Sequence, residues 1–130
     1  MASLSHFLNL DLVLKSNSDL SPIIKHFDQK VIVLAHENFE RQFLLNLELA
    51  YSDSRKDPGR CTREFLALIE ALPNAERALW SGCTSRTFSY GFESGREFPA
   101  LDTTITSDLL LRIAKLGADI GITIYPYQPD

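Results

Sequence analysis

The alternation of apolar and polar positions predicts secondary structure along the whole chain, most clearly in its closing unit. Between Thr106 and Gly117, apolar residues recur at the spacing of one helix face: Leu109, Leu110, Ile113 and Leu116. Thr106 or Ser107 can cap the beginning of this helix, and Gly117 supplies the left-handed backbone position that ends it. A strand is predicted to follow as far as Tyr125, because isoleucines then occupy alternate positions: Ile120, Ile122 and Ile124.

Alternation with period two also predicts three strands in the first half of the chain. The first spans residues 7–15 and places four leucines on one face. A short helix over Ser21–Phe27 leads to the second strand, residues 31–35, which is apolar on both faces and is therefore expected to be buried on both. A polar break at residues 36–38 then precedes the third strand, predicted over residues 39–51.

Two polar loops divide the second half of the chain. The first loop, residues 52–60, contains Pro58-Gly59 and precedes a helix that Thr62 can cap and that runs to Leu72. A brief helical turn is predicted at residues 75–80 and a strand at residues 84–92. Trp80, the only tryptophan, is expected to fill the core at a helix end. The second polar loop, residues 93–104, leads into the closing unit.

These elements predict one α+β domain over residues 1–130, in the order β-α-β-β-α-β-α-β. A chain of 130 residues can bury a substantial core, and its 45% hydrophobic and 23% charged residues are ordinary for a globular domain. Strands in which one face is apolar and the other polar favour a mainly antiparallel sheet, with about three helices packed on one face.

The charge balance indicates the class of partner. The chain has 13 basic and 17 acidic residues, a net charge of −4, and no cluster of lysine or arginine, so direct nucleic-acid binding is not expected. A mild acidic excess instead suits a basic protein partner. Because there is no basic leader sequence and no apolar run approaches the roughly 20 residues of a membrane span, a cytoplasmic protein without membrane contact is expected. Cys61 and Cys83 lack CxxC spacing and are expected to be reduced thiols.

The sequence contains no recognisable catalytic, cofactor or metal motif. His6, His26 and His36 are scattered, without the spacing of metal ligands, and neither a nucleophile elbow nor a phosphate-binding loop is present. His36 and Glu37 could form an acid–base pair, but successive residues of a strand point to opposite faces, which favours a polar turn. We therefore assign no catalytic residue, no metal and no cofactor from the sequence.

The closing unit also carries a family resemblance, in the pattern Leu110-x-x-Ile113-x-x-Leu116-Gly117-Ala118-x-Ile120-x-Ile122-x-Ile124-Tyr125. With this pattern the chain resembles the bacterial domain-of-unknown-function family 4279, and residues 8–27 and 65–72 add support. The resemblance implies a compact α+β fold and transfers no catalytic residue. In size, acidity and lack of chemistry, the chain also looks like the small immunity proteins encoded beside secreted bacterial toxins.

The two polar loops are the predicted contact surface, because both carry carboxylates and the second also carries Phe98 and Leu101. The candidate partner-binding residues are Asp53, Asp57, Glu93, Glu97, Phe98 and Asp102. Carboxylates would steer a basic partner and an aromatic side chain would anchor it, although nearby arginines dilute the charge of both loops.

Three functions are compatible with these features. The favoured one is a non-catalytic acidic binding protein, most specifically an immunity protein that blocks the active site of a cognate toxin, such as a contact-dependent growth inhibition nuclease. The alternative is a small-ligand-binding protein or enzyme with a pocket between sheet and helices, where the candidate polar groups are His36, Glu37, Arg86 and Tyr90. The third is a structural module or homodimer that pairs through a sheet edge or through the Phe88, Tyr90 and Phe92 face.

Overall fold

A computed structural model describes residues 4–51, 57–96 and 99–128, and these contain five strands and four α-helices. The strands are β1 His6–Ser16, β2 Val31–Phe39, β3 Gln42–Leu49, β4 Ser85–Glu93 and β5 Asp119–Tyr125. The helices are α1 Ser21–Phe27, α2 Pro58–Glu70, α3 Asn74–Ser81 and α4 Ser107–Lys115, and a short 3-10 turn follows α1 at Asp28–Lys30. The α+β prediction is confirmed, with one more helix than expected, because the brief turn predicted at residues 75–80 belongs to the eight-residue helix α3.

The five strands form one mixed sheet in the order β2-β3-β1-β4-β5. Three of the four pairings are antiparallel, and β4 and β5 are parallel. Each helical connection, β1 to β2, β3 to β4 and β4 to β5, therefore joins strands that run in the same direction. The β1–β2 connection leads toward the β2 edge of the sheet and starts from a strand that runs opposite to β3 and β4. The β3–β4 and β4–β5 connections lead toward the β5 edge. Right-handed crossovers consequently place every helix on the same face of the sheet.

The core lies between this face and the helices. Its strand residues are the leucines that alternate along the first and third strands, together with two aromatic residues of β4: Leu10, Leu12, Leu14, Leu45, Leu47, Leu49, Phe88 and Tyr90. Phe65 of α2 meets Phe88 edge-on, with ring centroids 6.3 Å apart. Trp80 is only 1% exposed, and its indole Nε1 donates a hydrogen bond to the Leu116 carbonyl at 2.9 Å. Trp80 is thus a core residue, as predicted.

The end of α4 forms as the closing unit predicts. Gly117 has φ +70°, its amide donates to the Ala114 carbonyl at 2.9 Å, and the Ala118 amide donates to the Ile113 carbonyl at 3.2 Å. This pair of bonds is a Schellman motif, which satisfies the last carbonyls of the helix and turns the chain directly into β5.

The prediction of a second strand buried on both faces is wrong, because β2 lies at one edge of the sheet. Val31 is its one buried residue, and Ile32, Val33 and Leu34 are exposed. The predicted polar break at residues 36–38 is also wrong, since β2 continues through Phe39. The turn instead falls at residues 40–41, where Glu40 and Arg41 have φ of +50° and +67°. Two positive φ values are typical of a tight hairpin turn that usually contains glycine or asparagine, and neither residue type is present here.

Helix α2 begins four residues before the predicted cap. Asp57 is its N-cap, and its side chain accepts hydrogen bonds from the backbone amides of Gly59 at 2.9 Å and Arg60 at 3.4 Å. Pro58 occupies the first helical position, where its missing amide hydrogen costs nothing. Thr62 is therefore an interior residue, and its hydroxyl donates to the Pro58 carbonyl at 2.6 Å.

Candidate functional site

A cleft of about 860 Å³ lies at one end of the sheet. It forms there because β1 begins where β3 and β4 end, and because the chain leaving β3 returns as the N-terminus of α2. The segment at residues 101–103 closes the remaining side. We call this the acidic cleft, because three carboxylates line it, each from a different segment: Glu48, Asp57 and Asp102.

The acidic cleft combines these carboxylates with an apolar floor. Phe7 and Phe92 lie on neighbouring strands with ring centroids 5.6 Å apart, and Leu8 and Leu101 extend the apolar surface. Among the described lining residues, His6 is the one side chain that can carry positive charge. A ligand side chain with an apolar stem and a cationic head, such as lysine or arginine, therefore matches both parts of the cleft.

The structure places two of the predicted contact residues in the acidic cleft and a third in a neighbouring groove. Asp57 from the first polar loop and Asp102 from the second both line the acidic cleft. Glu93, at the end of β4, instead lines a smaller groove of about 350 Å³ beside β5. Asp53, Glu97 and Phe98 fall outside the described residues.

The structure also shows a group of polar residues that was not predicted as a unit. We call Asn9, Asp11, Asn46 and Glu48 the polar cluster. It lies on the face of the sheet opposite the helices, where Asp11 of β1 is the register partner of Glu48 of β3. Asn9 Nδ2 donates to Asp11 Oδ1 at 3.1 Å and to Glu48 Oε2 at 3.3 Å. Because Asn9 and Glu48 also line the acidic cleft, the polar cluster is continuous with it.

The environment of the polar cluster perturbs the titration of Asp11. Partial burial, and secondarily the negative charge of Glu48, raises the pKa of Asp11 from 3.8 to about 6, although a hydrogen bond from Asn46 opposes the rise. Asn46 Oδ1 is buried and has no hydrogen-bond partner among the described residues. Both features follow from placing two acids and two amides side by side on a half-buried sheet surface.

Gly91 makes the arrangement of the polar cluster possible. This residue of β4 is the register partner of Asn9, and a Cβ atom at position 91 would lie only 2.5 Å from Asn9 Oδ1. The absence of a side chain on Gly91 therefore leaves room for Asn9 Oδ1 beside β4. In this position Asn9 Nδ2 reaches the carboxylates of Asp11 and Glu48.

Two of the polar groups considered for a pocket between sheet and helices have internal partners. The Arg86 guanidinium donates to the carbonyls of Cys83 at 2.8 Å, Gly117 at 2.9 Å and Trp80 at 3.0 Å, so it joins the ends of α3 and α4. The Tyr90 hydroxyl is buried 2.6 Å from the Thr62 hydroxyl, and burial raises the pKa of Tyr90. These contacts give both side chains a role in holding the fold together.

The thiols of Cys61 and Cys83 are buried, and burial disfavours their ionisation. Burial, followed by the charges of Glu64 and Asp57, raises the pKa of Cys61 to about 12. Burial also raises the pKa of Cys83, outweighing the opposing charge of Arg86. Within residues 4–51, 57–96 and 99–128, no three histidine, cysteine or carboxylate side chains form a group that could hold a metal ion, and none of the helices has the length and apolar character needed to cross a membrane.

A scan against protein-family models finds no match to this chain, and searches of curated proteins and of solved structures find none either. The resemblances to family 4279 and to immunity proteins therefore stay predictions.

Proposed function

We propose that this protein is a non-catalytic binding protein of the immunity type, which neutralises a bacterial toxin by covering the basic side chains of the toxin's active site. The observation that supports this proposal is the convergence of Asp57 and Asp102 on one cleft. They come from loops far apart in the sequence, and Glu48 adds a third carboxylate. A nuclease toxin must present basic residues to its nucleic-acid substrate, and an acidic cleft competes for the same residues.

The carboxylates and the apolar residues of the acidic cleft would contribute differently to binding. The carboxylates accelerate association by electrostatic steering, and the effect weakens as salt is added. The apolar floor of Phe7, Leu8 and Phe92 supplies affinity by removing the stem of a partner side chain from water. Together they favour a partner with lysine or arginine on a convex surface.

Asp102 is the most informative of the carboxylates to change. Asp57 already accepts hydrogen bonds from the first turn of α2, so its substitution would also weaken that helix. Asp102 is exposed, and it follows Leu101, an exposed apolar residue that lines the same cleft. Replacing Asp102 therefore changes the charge of the cleft without removing a helix cap.

The test begins with affinity capture of partners from the native host, followed by binding measurements with the product of the gene immediately upstream. The variant Asp102→Lys should weaken binding by at least about tenfold, because it places like charges together. The matched control is Asp119→Lys, which makes the same charge change at the exposed beginning of β5, at the other end of the sheet. Recovery of no stoichiometric protein partner, or equal weakening by both variants, would contradict the proposal.

A further inference from the structure

The edge strand β5 presents an apolar row that nothing in the described chain covers. Ile122 and Ile124 are both 66% exposed, and Ile120 is also exposed. These three isoleucines lie on the helix-bearing face, since they are the register partners of the core and cleft residues Phe88, Tyr90 and Phe92. The helices cover β4 but leave the row on β5 open to solvent.

The two edges of the sheet differ in their ability to pair with another strand. The register of β2 against β3 is interrupted between Val33 and Ala35, so β2 has a bulge, and it also carries Glu37. Bulges and charges are the usual means of blocking edge-to-edge pairing. By contrast, β5 pairs with β4 without interruption from Asp119 to Tyr125, and Asp119 is its one charged residue. Only β5 is therefore a regular edge without such protection.

The backbone of β5 has a defined set of outward-facing groups. The Tyr125 carbonyl accepts a hydrogen bond from the Ser94 amide at 2.8 Å, so the polar groups of Tyr125 point toward β4. Because these groups alternate along a strand, those of Thr123, Gly121 and Asp119 also point toward β4. The amides and carbonyls that point away from the sheet thus belong to the three isoleucines.

We propose that β5 pairs antiparallel with β5 of a second copy of this chain, centred on Ile122. In this register Ile122 lies opposite itself and Ile120 lies opposite Ile124 of the other copy. Every outward amide and carbonyl then has a partner, giving about six hydrogen bonds in three closely bonded pairs. Asp119 lies opposite Tyr125 rather than opposite another carboxylate, so two-fold pairing brings no like charges together.

The sequence of β5 supports a second copy over an unrelated strand, because its pattern is symmetric about Ile122. A two-fold interface requires the same surface to be complementary to itself, and the order Ile-x-Ile-x-Ile meets that requirement when one strand is reversed. The two isoleucine rows would form one apolar strip. At each end this strip continues into the groove that Ala100, Leu101 and Phe92 line beside β5. One seven-residue strand buries less than the roughly 1,600 Å² of a standard interface, so the dimer is expected to dissociate on dilution.

Sedimentation or light scattering from micromolar to millimolar concentration tests the proposal. The average mass of the unaltered chain should rise from 14.7 kDa toward twice that value with concentration. Ile122→Lys should hold the chain at the monomer mass, because two ammonium groups would face each other at the two-fold axis. The matched control Ile32→Lys, on the exposed edge β2, should dimerise like the unaltered chain.

Disulfide crosslinking tests the register separately. Residues of a closely bonded antiparallel pair have Cα atoms about 5.5 Å apart, within the range that a disulfide spans. Mild oxidation should therefore crosslink Ile122→Cys to its counterpart. Ile124→Cys, a position of equal exposure, should not crosslink to itself because it lies opposite Ile120. A chain that stays monomeric at millimolar concentration, or equal crosslinking at the two positions, would overturn the proposal. If the chain stays monomeric, the exposed edge of β5 would be available for pairing with a strand of a different protein.

Discussion

Replacing Asp11 by asparagine tests the physical account of the polar cluster. Asp11 lies beside Glu48, and both carboxylates accept hydrogen bonds from Asn9. Asparagine has nearly the same shape as aspartate and carries no charge. Its side-chain oxygen can still accept the bond from Asn9, although an amide nitrogen, which accepts no bond, replaces the second oxygen of Asp11. The substitution therefore removes one of two adjacent carboxylates while keeping the packing of the sheet surface.

The sign of the effect follows from the pKa of Asp11, which rises from 3.8 to about 6 on folding. A raised pKa means that the folded state favours the protonated acid, so the contribution of Asp11 to stability is most favourable below about pH 4 and is lost as the pH rises through 6. At 1.36 kcal/mol per pKa unit, the full shift corresponds to about 3 kcal/mol at pH 7. Asp11 is only half-buried, and solvent screening reduces this to about 1–2 kcal/mol. Asp11→Asn should recover that amount.

Urea unfolding at pH 4 and at pH 7 provides the measurement. At pH 7 the variant should be more stable by about 1–2 kcal/mol, or about 5 °C in Tm, and the two proteins should converge at pH 4. The matched control Asp119→Asn removes an exposed carboxylate away from the cluster and should change stability by less than about 0.5 kcal/mol. A variant that is destabilised at pH 7, or an equal difference at both pH values, would show that the charge of Asp11 does not destabilise the fold.

Two further substitutions examine single contacts by urea unfolding. Gly91→Ala should lower the free energy of unfolding by about 1–2 kcal/mol, because the added Cβ displaces Asn9 and breaks its two hydrogen bonds. This loss should vanish in an Asn9→Ala background, and a loss that persists there would contradict the contact. Thr62→Val should cost about 1–3 kcal/mol because it removes the hydrogen-bond partner of the buried Tyr90 hydroxyl. Adding Tyr90→Phe should restore part of that loss, and purely additive losses would contradict the pairing.

The sequence predicts best where the signals are local. In the closing unit, the helix spacing and Gly117 are sufficient, because a Schellman motif depends on neighbouring residues only. The prediction from sequence fails for β2, because Ile32, Val33 and Leu34 have the composition of an interior strand but are exposed. Burial of a strand depends on its place in the sheet, which non-local pairing decides. The hairpin at residues 40–41 lacks the usual glycine or asparagine, so its turn has no sequence signal.

The candidate site is predictable only in part, for the same reason. The sequence identifies Asp57 and Asp102 as members of polar loops, but their meeting requires β3 and β4 to lie on either side of β1. The outward positions of Asn9 and Asp11, and of Asn46 and Glu48, are visible in the alternation of two strands. That they form one cluster depends on the β1–β3 register, which neither strand specifies alone.

The polar cluster also gives the proposed function a dependence on protonation. Glu48 belongs to both the cluster and the acidic cleft, so ionisation of Asp11 increases the negative potential that the proposed basic partner would meet. By linkage, a cationic partner that favours ionised Asp11 must lower the pKa of Asp11 and release protons when it binds near pH 6. The same charge that weakens the free fold would strengthen the complex. Asp11→Asn should therefore stabilise the protein and weaken its binding together, an opposition that a purely structural role for Asp11 would not produce.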